Sequence, residues 1–136
     1  MAETLKLEIV TPQGTVISED VEMVTLPGIE GQLGVYPNHV PLITPIEPGE
    51  IIVNSGGRDR YLAVGDGLAE VSRTHVSVIT DMAIAAEHID EAKVEEARAR
   101  AAARLEEKVS DEEVASVNAS LARSLAQLQV KRRRRM

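Results

Sequence analysis

The spacing of hydrophobic residues changes once along the chain, at about residues 83–90. Before this point apolar and polar residues alternate, as Leu5, Leu7 and Ile9 do with Lys6 and Glu8. A period of two is that of a β-strand with one buried face. The first part of the chain is therefore predicted to form strands, and the change of period predicts two domains, residues 1–86 and residues 87–136.

Groups of turn residues separate the predicted strands. All nine Gly and all six Pro lie at or before Gly67. These two residue types are the strongest signals of the turns that separate short strands. Turns are predicted at residues 12–14, 54–57, 65–67 and 72–74. This spacing favours an antiparallel β-sandwich or barrel, in which residues 50–64 form one hairpin and residues 68–80 another.

After the boundary the apolar residues recur at steps of three and four, as in a helix. The second helix is predicted to begin at Ser110, because Ser110 and Glu113 have the spacing of an S-x-x-E capping box. Its apolar stripe consists of Val114, Val117, Leu121, Leu125 and Leu128. The first helix is Ala-rich, with one stripe through Ile89, Ala92, Glu96, Ala99, Ala103 and Glu106 and a wider arc through Val94, Ala101 and Leu105. The predicted fold class is therefore α+β, an antiparallel sandwich followed by an antiparallel helical hairpin.

The predicted hairpin carries few large apolar side chains. Between Ile89 and Val130 there are ten Ile, Leu or Val residues, each contributing at most ~1.5–3 kcal/mol when buried. Ordering the backbone costs ~1–2 kcal/mol per residue. We therefore expect the hairpin to fold firmly only when it is docked on the sandwich or on a partner.

Residues 26–49 contain nine of the chain's Gly and Pro residues. Gly28, Gly31 and Gly34 recur every three positions, and each is expected to hold a positive φ or to allow a close backbone approach. The five Pro of this segment argue against a helix or a central strand. A stiff loop surface is predicted, and such surfaces on a rigid scaffold are often binding surfaces.

Composition excludes several classes of function. Phe, Trp and Cys are absent, and Tyr36 and Tyr61 are the only aromatic residues. Stacking on nucleobases, disulfide frameworks and thiolate metal sites therefore lack the side chains that they need. No apolar run approaches the ~20 residues that cross a bilayer, so the expectation is a soluble intracellular chain.

Charge is distributed unevenly between the two parts. Residues 1–88 contain 4 basic and 13 acidic residues, a net charge of −9, whereas residues 89–136 contain 11 basic and 9 acidic residues, a net charge of +2. Residues 131–135 are five consecutive cations, predicted to be a solvated tail. The alternatives are an adaptor arm for an acidic protein or for nucleic acid, although the acidic first part argues against nucleic acid.

No catalytic or metal site can be assembled from the sequence. His39, His75 and His88 are scattered, and none has a second His or a paired carboxylate at metal-ligand spacing. There is no phosphate-binding G-x-x-x-x-G-K-S/T loop and no G-x-S-x-G nucleophile motif. We therefore expect a protein that is not an enzyme, with no catalytic residue and no metal.

Three segments resemble the epsilon subunit of rotary F-type ATP synthases. LPGIEGQLGVYPNHVPL at residues 26–42 resembles the signature loop of that family, and GDGLAEVSRTHVSVITDMA at residues 65–83 resembles the last strands of its sandwich. IDEAKVEEARARAAARL at residues 89–105 resembles the start of the first C-terminal helix and is the least specific of the three. The resemblance implies a sandwich of ten strands followed by a helical hairpin.

The resemblance also implies a non-catalytic rotor subunit in the central stalk. In the family the sandwich binds the gamma subunit and the polar loops of the c-ring, and so passes proton-driven rotation to the catalytic head. The hairpin of many bacterial members extends along gamma, towards the alpha and beta subunits, and blocks ATP hydrolysis. A peripheral location is implied, on the cytoplasmic face of the bacterial plasma membrane or an equivalent organellar membrane, with only indirect membrane contact.

Matching positions assign roles to individual residues. Glu30, Gln32 and His39 are expected to face the c-ring and gamma, although Gln32 stands where some members have an acidic residue, and an ordinary turn histidine is the alternative for His39. The expected inhibitory contact consists of cations that would face an acidic segment of a beta subunit: Arg123, Lys131, Arg132 and Arg133.

A nucleotide motif of the family, I/L-D-x-x-R-A, is only partly present. Asp90 and Arg100 match positions of nucleotide-binding members, but Lys93 replaces the Arg of the motif and Val94 replaces its Ala. Lysine lacks the planar fork with which arginine holds phosphate. No cofactor is expected beyond weak regulatory ATP, and the alternative is that Asp90 is a helix N-cap while Lys93 and Arg100 are solvated.

Overall fold

The fold is that of a computed structural model, which describes residues 3–107 and 110–135 and gives the side chains up to residue 133. The predicted α+β class is confirmed, with strands first and helices last. The strands are β1 (Leu5–Thr11), β2 (Gly14–Val21), β3 (Met23–Gly28), β4 (Gly31–Val35), β5 (Leu42–Ile46), β6 (Gly49–Ser55), β7 (Arg58–Val64), β8 (Gly67–Val71), β9 (His75–Thr80) and β10 (Ala83–Ala85). A 3-10 turn (Ala86–His88) leads to the helices α1 (Glu91–Leu105) and α2 (Asp111–Arg135).

The ten strands form one continuous sheet that folds over on itself. Its order is β10-β7-β6-β3-β5-β8-β9-β1-β2, with β4 paired to β3. Both predicted hairpins are present, β6 with β7 and β8 with β9. All pairs are antiparallel except β1 with β9, which is parallel. Strands near the two ends of the order meet, because Arg60 of β7 forms an ion pair with Glu19 of β2.

The predicted alternation explains the core. Leu7 and Ile9 of β1 are fully buried, as are Ile51 and Val53 of β6, and all four belong to one cluster of apolar side chains. Side chains two residues apart point to the same face of a strand. One face of the folded sheet therefore forms the interior, and the other faces outwards.

The expectation that residues 26–49 contain no central strand is wrong. Pro27 lies in β3, near the middle of the sheet, and Pro45 lies in β5. The carbonyl of Pro27 accepts from the amide of Glu47 (2.8 Å). Because the donor and acceptor of one strand residue point to the same side, the missing N–H of Pro27 faces that loop and not β4. The β3–β6 ladder covers only residues 23–25, so no ladder hydrogen bond is lost.

The glycines of this segment have the two expected roles, at different positions. Gly31 has φ 121°, a value that L side chains rarely adopt. A Cβ atom on Gly28 would lie 2.8 Å from the carbonyl oxygen of Gly31. The tight turn between β3 and β4 therefore depends on both glycines.

The hairpin docks through the C-terminal half of α2. This helix packs on β6, β7 and the 3-10 turn, whereas α1 packs mainly on α2 and has no buried residue. A second apolar cluster joins Val130 to Ala63 of β7 and to Ala86 and Ile89. The docked hairpin thus adds a small core on the outer face of the sheet.

Both predicted helix stripes require correction. Leu125 is 53% exposed, although Leu128 of the same predicted stripe is buried. The α1 stripe is exposed at Ala92, Glu96, Ala99, Ala103 and Glu106, and the half-buried side is the arc with Val94, Ala101 and Leu105. The reason is that α2 contacts α1 on one side and the sheet on another, so its buried residues do not form a single stripe.

The predicted capping box is present in part. The amide of Glu113 donates to Ser110 Oγ (3.2 Å), as at a helix N-cap. The carboxylate of Glu113 instead accepts from Arg104 at the end of α1 (2.6 Å). This cap therefore also links the two helices across their turn.

Mild proteolysis is expected to remove the hairpin before it damages the sandwich. Cuts between residues 86 and 110 should leave a resistant fragment of about residues 1–85, because α1 has no buried residue and poorly packed elements open most often. Mass spectrometry over a time course measures this order. Earlier cleavage at the β6–β7 turn, an internal control, would contradict the division into two units.

Candidate functional site

The predicted c-ring residues lie in and next to β4, with Glu30 in the turn before it, Gln32 in the strand itself and His39 after it. Glu30 and Gln32 are exposed, and both line a shallow cleft with residues of β3, β4 and β5. His39 is half-buried in the β4–β5 connection, outside this cleft, and its Nδ1 donates to the carbonyl of Val40 (2.6 Å). The structure therefore brings Glu30 and Gln32 together and places His39 on a neighbouring part of the surface.

Exposed apolar side chains lie in the same segment of the chain, and sequence reasoning missed them. Tyr36, Val40 and Ile43 are 62%, 72% and 64% exposed, and Leu42 is 38% exposed. They cluster in a segment whose Pro and Gly content drew attention to its backbone only. Contiguous exposed apolar surface commonly marks a protein interface.

A second apolar row crosses the outer face of the sheet. Pro45 of β5 pairs with Leu68 of β8, Leu68 with Ile79 of β9, and Ile79 with Val10 of β1. Leu68 is 44% exposed and Ile79 is 61% exposed. The sequence does carry a signal, because Ile79 is out of phase with its buried neighbours Val76 and Val78. We call Pro45, Leu68, Ile79 and Val10 the apolar row.

The candidate nucleotide residues do not converge on one pocket. Asp90 Oδ1 accepts from the amide of Lys93 (3.2 Å), so the alternative role of Asp90 as the N-cap of α1 is confirmed. Lys93 and Arg100 are exposed. Arg100 lines a groove between α1 and α2 that contains neither Asp90 nor Lys93.

The cations of α2 contact acidic and carbonyl groups of the same chain. Arg123 lies 3.3 Å from Asp81, Lys131 Nζ donates to the carbonyl of Ala86 (3.2 Å), Arg132 donates to Glu91 (2.8 Å) and Glu95 (3.0 Å), and Arg133 donates to Glu50 (2.9 Å). The expectation of a solvated tail is therefore wrong for residues 131–133, while the side chains of residues 134 and 135 lie outside the described part. The reason is that α2 continues through the basic run and carries it across the sheet.

These contacts include hydrogen bonds that lower the pKa of Glu95. Hydrogen bonds from Arg98 and then from Arg132 lower the pKa of Glu95, and the bond to Glu91 raises the pKa of Arg132. A lowered carboxyl pKa stabilises the folded state above the ordinary value of that group, and this contribution is lost as the pH falls through the lowered value. The contribution is small, because these side chains are in contact with solvent.

Within residues 3–107 and 110–135, no three His, Asp or Glu side chains are grouped as ligands of a metal ion. Across the same ranges, neither helix combines the length and the hydropathy needed to cross a membrane.

Comparison with known proteins places the chain in a family. Residues 4–86 match the family described as "ATP synthase, Delta/Epsilon chain, beta-sandwich domain", and residues 87–132 match "ATP synthase, Delta/Epsilon chain, long alpha-helix domain". The chain is 42% identical to ATP synthase epsilon chain 2 of Syntrophotalea carbinolica, over 96% of this chain and 95% of the relative. It is 37% identical to the ATP synthase epsilon chain of Herpetosiphon aurantiacus, over 96% of each.

A solved structure shares the fold. A chain in the cryo-EM structure of the Euglena gracilis mitochondrial ATP synthase (OSCP/F1/c-ring) matches with a TM-score of 0.76 and 22% identity, over 93% of this chain and 79% of that chain. The sandwich with two C-terminal helices is thus an architecture found in ATP synthases. The chain belongs to the delta/epsilon family of ATP synthase subunits, and the curated relatives described above are epsilon chains.

Proposed function

We propose that this chain is a non-catalytic rotor subunit in the central stalk of a proton-driven ATP synthase. Its sandwich connects the gamma subunit to the c-ring, and its helical hairpin restrains ATP hydrolysis by the catalytic head. Family membership over nearly the whole chain is the observation that carries this proposal. The relatives bear the name epsilon chain, and the two exposed apolar surfaces of the sandwich suit a subunit held between partners.

The two surfaces of the sandwich suit different partners. The apolar row lies on strands that are hydrogen-bonded along their length, so it is a rigid surface for a permanent contact, and we assign it to gamma. Glu30 lies in the β3–β4 turn and Gln32 at the start of β4, both exposed, which suits polar loops of the c-ring, with His39 beside the same contact. A rigid sheet between two partners would pass rotation from one to the other with little deformation of its own.

The hairpin has the properties of a regulatory element. It docks on the sandwich through a small apolar cluster and through the ion pairs Arg123–Asp81 and Arg133–Glu50, and a weakly docked element opens at a low cost in free energy. Opening would free Arg123, Lys131, Arg132 and Arg133 to contact an acidic surface of the alpha and beta subunits. Charge complementarity would hold the opened helix there.

Location and other ligands follow from the same assignment. The subunit would lie on the cytoplasmic face of the bacterial plasma membrane, or on an equivalent organellar membrane, and would contact the membrane only through its partners. Nucleic acid is not proposed as a partner, since the net charge of −9 on residues 1–88 would repel phosphates near the basic residues. No cofactor is required, and ATP is proposed to bind weakly if it binds.

Replacing Ile79 with Asp is expected to weaken assembly with gamma at least about 10-fold, as for a central apolar contact residue. Ile79 is 61% exposed, so the sandwich should still fold, which circular dichroism checks. Val16→Asp is the matched control, since Val16 is 41% exposed on β2 and lies outside the apolar row. Titration of gamma with each variant measures the effect, and equal affinities for both variants would contradict the assignment of this surface.

Deleting residues 90–136 is expected to leave assembly and proton-driven ATP synthesis largely intact and to raise ATP hydrolysis. The physical reason is that the sheet keeps its own core, which contains no hairpin residue. ATPase rate and ATP-driven proton pumping in membranes measure the two functions. Loss of pumping would contradict the role given to the sandwich, and unchanged hydrolysis would contradict the role given to the hairpin.

Calorimetry of the isolated subunit is expected to detect no saturable ATP binding at low micromolar concentrations. Lys93 lacks the arginine fork, and Asp90 is already engaged by the helix that it caps. Combining Lys93→Arg with Val94→Ala is expected to tighten binding, with Arg73→Lys as a control on the sandwich. Tight binding by the unchanged chain would contradict this interpretation.

A further inference from the structure

We propose that Arg133 and Glu50 form an ionic latch, which holds the hairpin on the sandwich and sets how often it opens. The inference concerns the equilibrium between docked and open hairpin in the subunit itself, and its regulatory consequence rests on the function proposed above. The two residues lie 83 positions apart, and Arg133 Nη1 donates to Glu50 Oε1 at 2.9 Å.

Glu50 lies under the docked hairpin. Side chains along β6 alternate between the two faces of the sheet. Because Ile51 and Val53 point into the core, Glu50 points to the outer face. Its partner across the strands is Ala63 of β7, which belongs to the small cluster that the hairpin forms on that face. The Glu50 side chain is nevertheless only 7% exposed. We infer that α2, which packs on β6 and β7, shields this carboxylate from water.

The two partners of the latch differ in burial. The Arg133 side chain is 48% exposed, against 7% for Glu50. Losing the arginine charge would remove a cation from beside a shielded carboxylate, which is unfavourable. Opening the hairpin relieves this penalty, because the carboxylate then returns to water. The docked state is therefore stabilised by the cation at position 133.

Two neighbouring cations attach the same helix end to other elements. Lys131 reaches the carbonyl of Ala86 in the 3-10 turn, and Arg132 reaches Glu91 and Glu95 on α1. Three successive residues thus tie α2 to the turn, to α1 and to β6. An acidic partner surface would have to compete with these groups for the same cations, so it would draw the hairpin open by exchange of ionic partners.

The latch is tested on the isolated full-length subunit by distance measurements between two spin labels. The chain contains no Cys, so Thr15→Cys on β2 and Ala115→Cys on α2 give unique attachment points, both exposed. Glu50→Lys places two cations together and is expected to raise the ratio of open to docked molecules at least about 10-fold. Glu70→Lys makes the same change of charge at an exposed position of β8 and should leave the ratio unchanged.

A charge exchange separates the latch from a general loss of stability. Arg133→Glu alters a half-exposed residue near the end of α2 and should open the hairpin as Glu50→Lys does, without affecting the sandwich. Combining the two changes restores an opposite pair and should return the ratio to within about 3-fold of the unchanged chain. The latch is overturned if Arg133→Glu leaves the distances unaltered, or if the double variant is as open as either single variant.

Hydrolysis by the assembled complex separates this proposal from the proposed function. Glu50→Lys leaves every hairpin residue in place, so more frequent opening should lower the ATPase rate if the open hairpin restrains the catalytic head. Open distances in the isolated subunit together with an unchanged ATPase rate would support the latch and overturn the proposed restraint. Unchanged distances would overturn the latch, whatever the ATPase rate.

Discussion

The structure depends on one constraint. The apolar side chains on the inner face of the ten-stranded sheet have to be buried against one another within that single sheet. The sheet does so by folding over, so that Leu7 of β1 and Val53 of β6 share one core although their strands are far apart in the strand order. The inner face is then fully used. Docking of the hairpin and the exposed apolar row therefore both fall on the outer face.

The outer face is divided between an element of the same chain and surface left open. The hairpin covers β6 and β7, and the apolar row crosses β5, β8, β9 and β1. Because these are different parts of the sheet, departure of the hairpin would not disturb the row. This separation would allow the proposed coupling surface and the proposed regulatory element to coexist on one small sandwich.

Electrostatics compensates for the weak apolar character of the hairpin. The first 88 residues carry a net charge of −9 and the remainder +2, and the cations at the end of α2 face carboxylates of both the sandwich and α1. The pairs of Arg132 with α1 are open to solvent, so each is modest and sensitive to salt, whereas the carboxylate of Glu50 is shielded. These pairs lie around one helix end, which is where the proposed release of the hairpin would have to break them.

The sequence alone determined the order of strands and helices, the two hairpins and the family, and it offered the N-cap at Asp90 as one of two alternatives, because alternation, turn residues and capping are local patterns. It did not predict the strand that contains Pro27 or the exposure of Leu125, since both depend on which neighbours an element meets. The pairing of Arg133 with Glu50 was equally invisible at a separation of 83 residues. Only the tertiary structure decides such contacts, because folding of the sheet and docking of α2 bring together groups whose sequence positions carry no mutual signal.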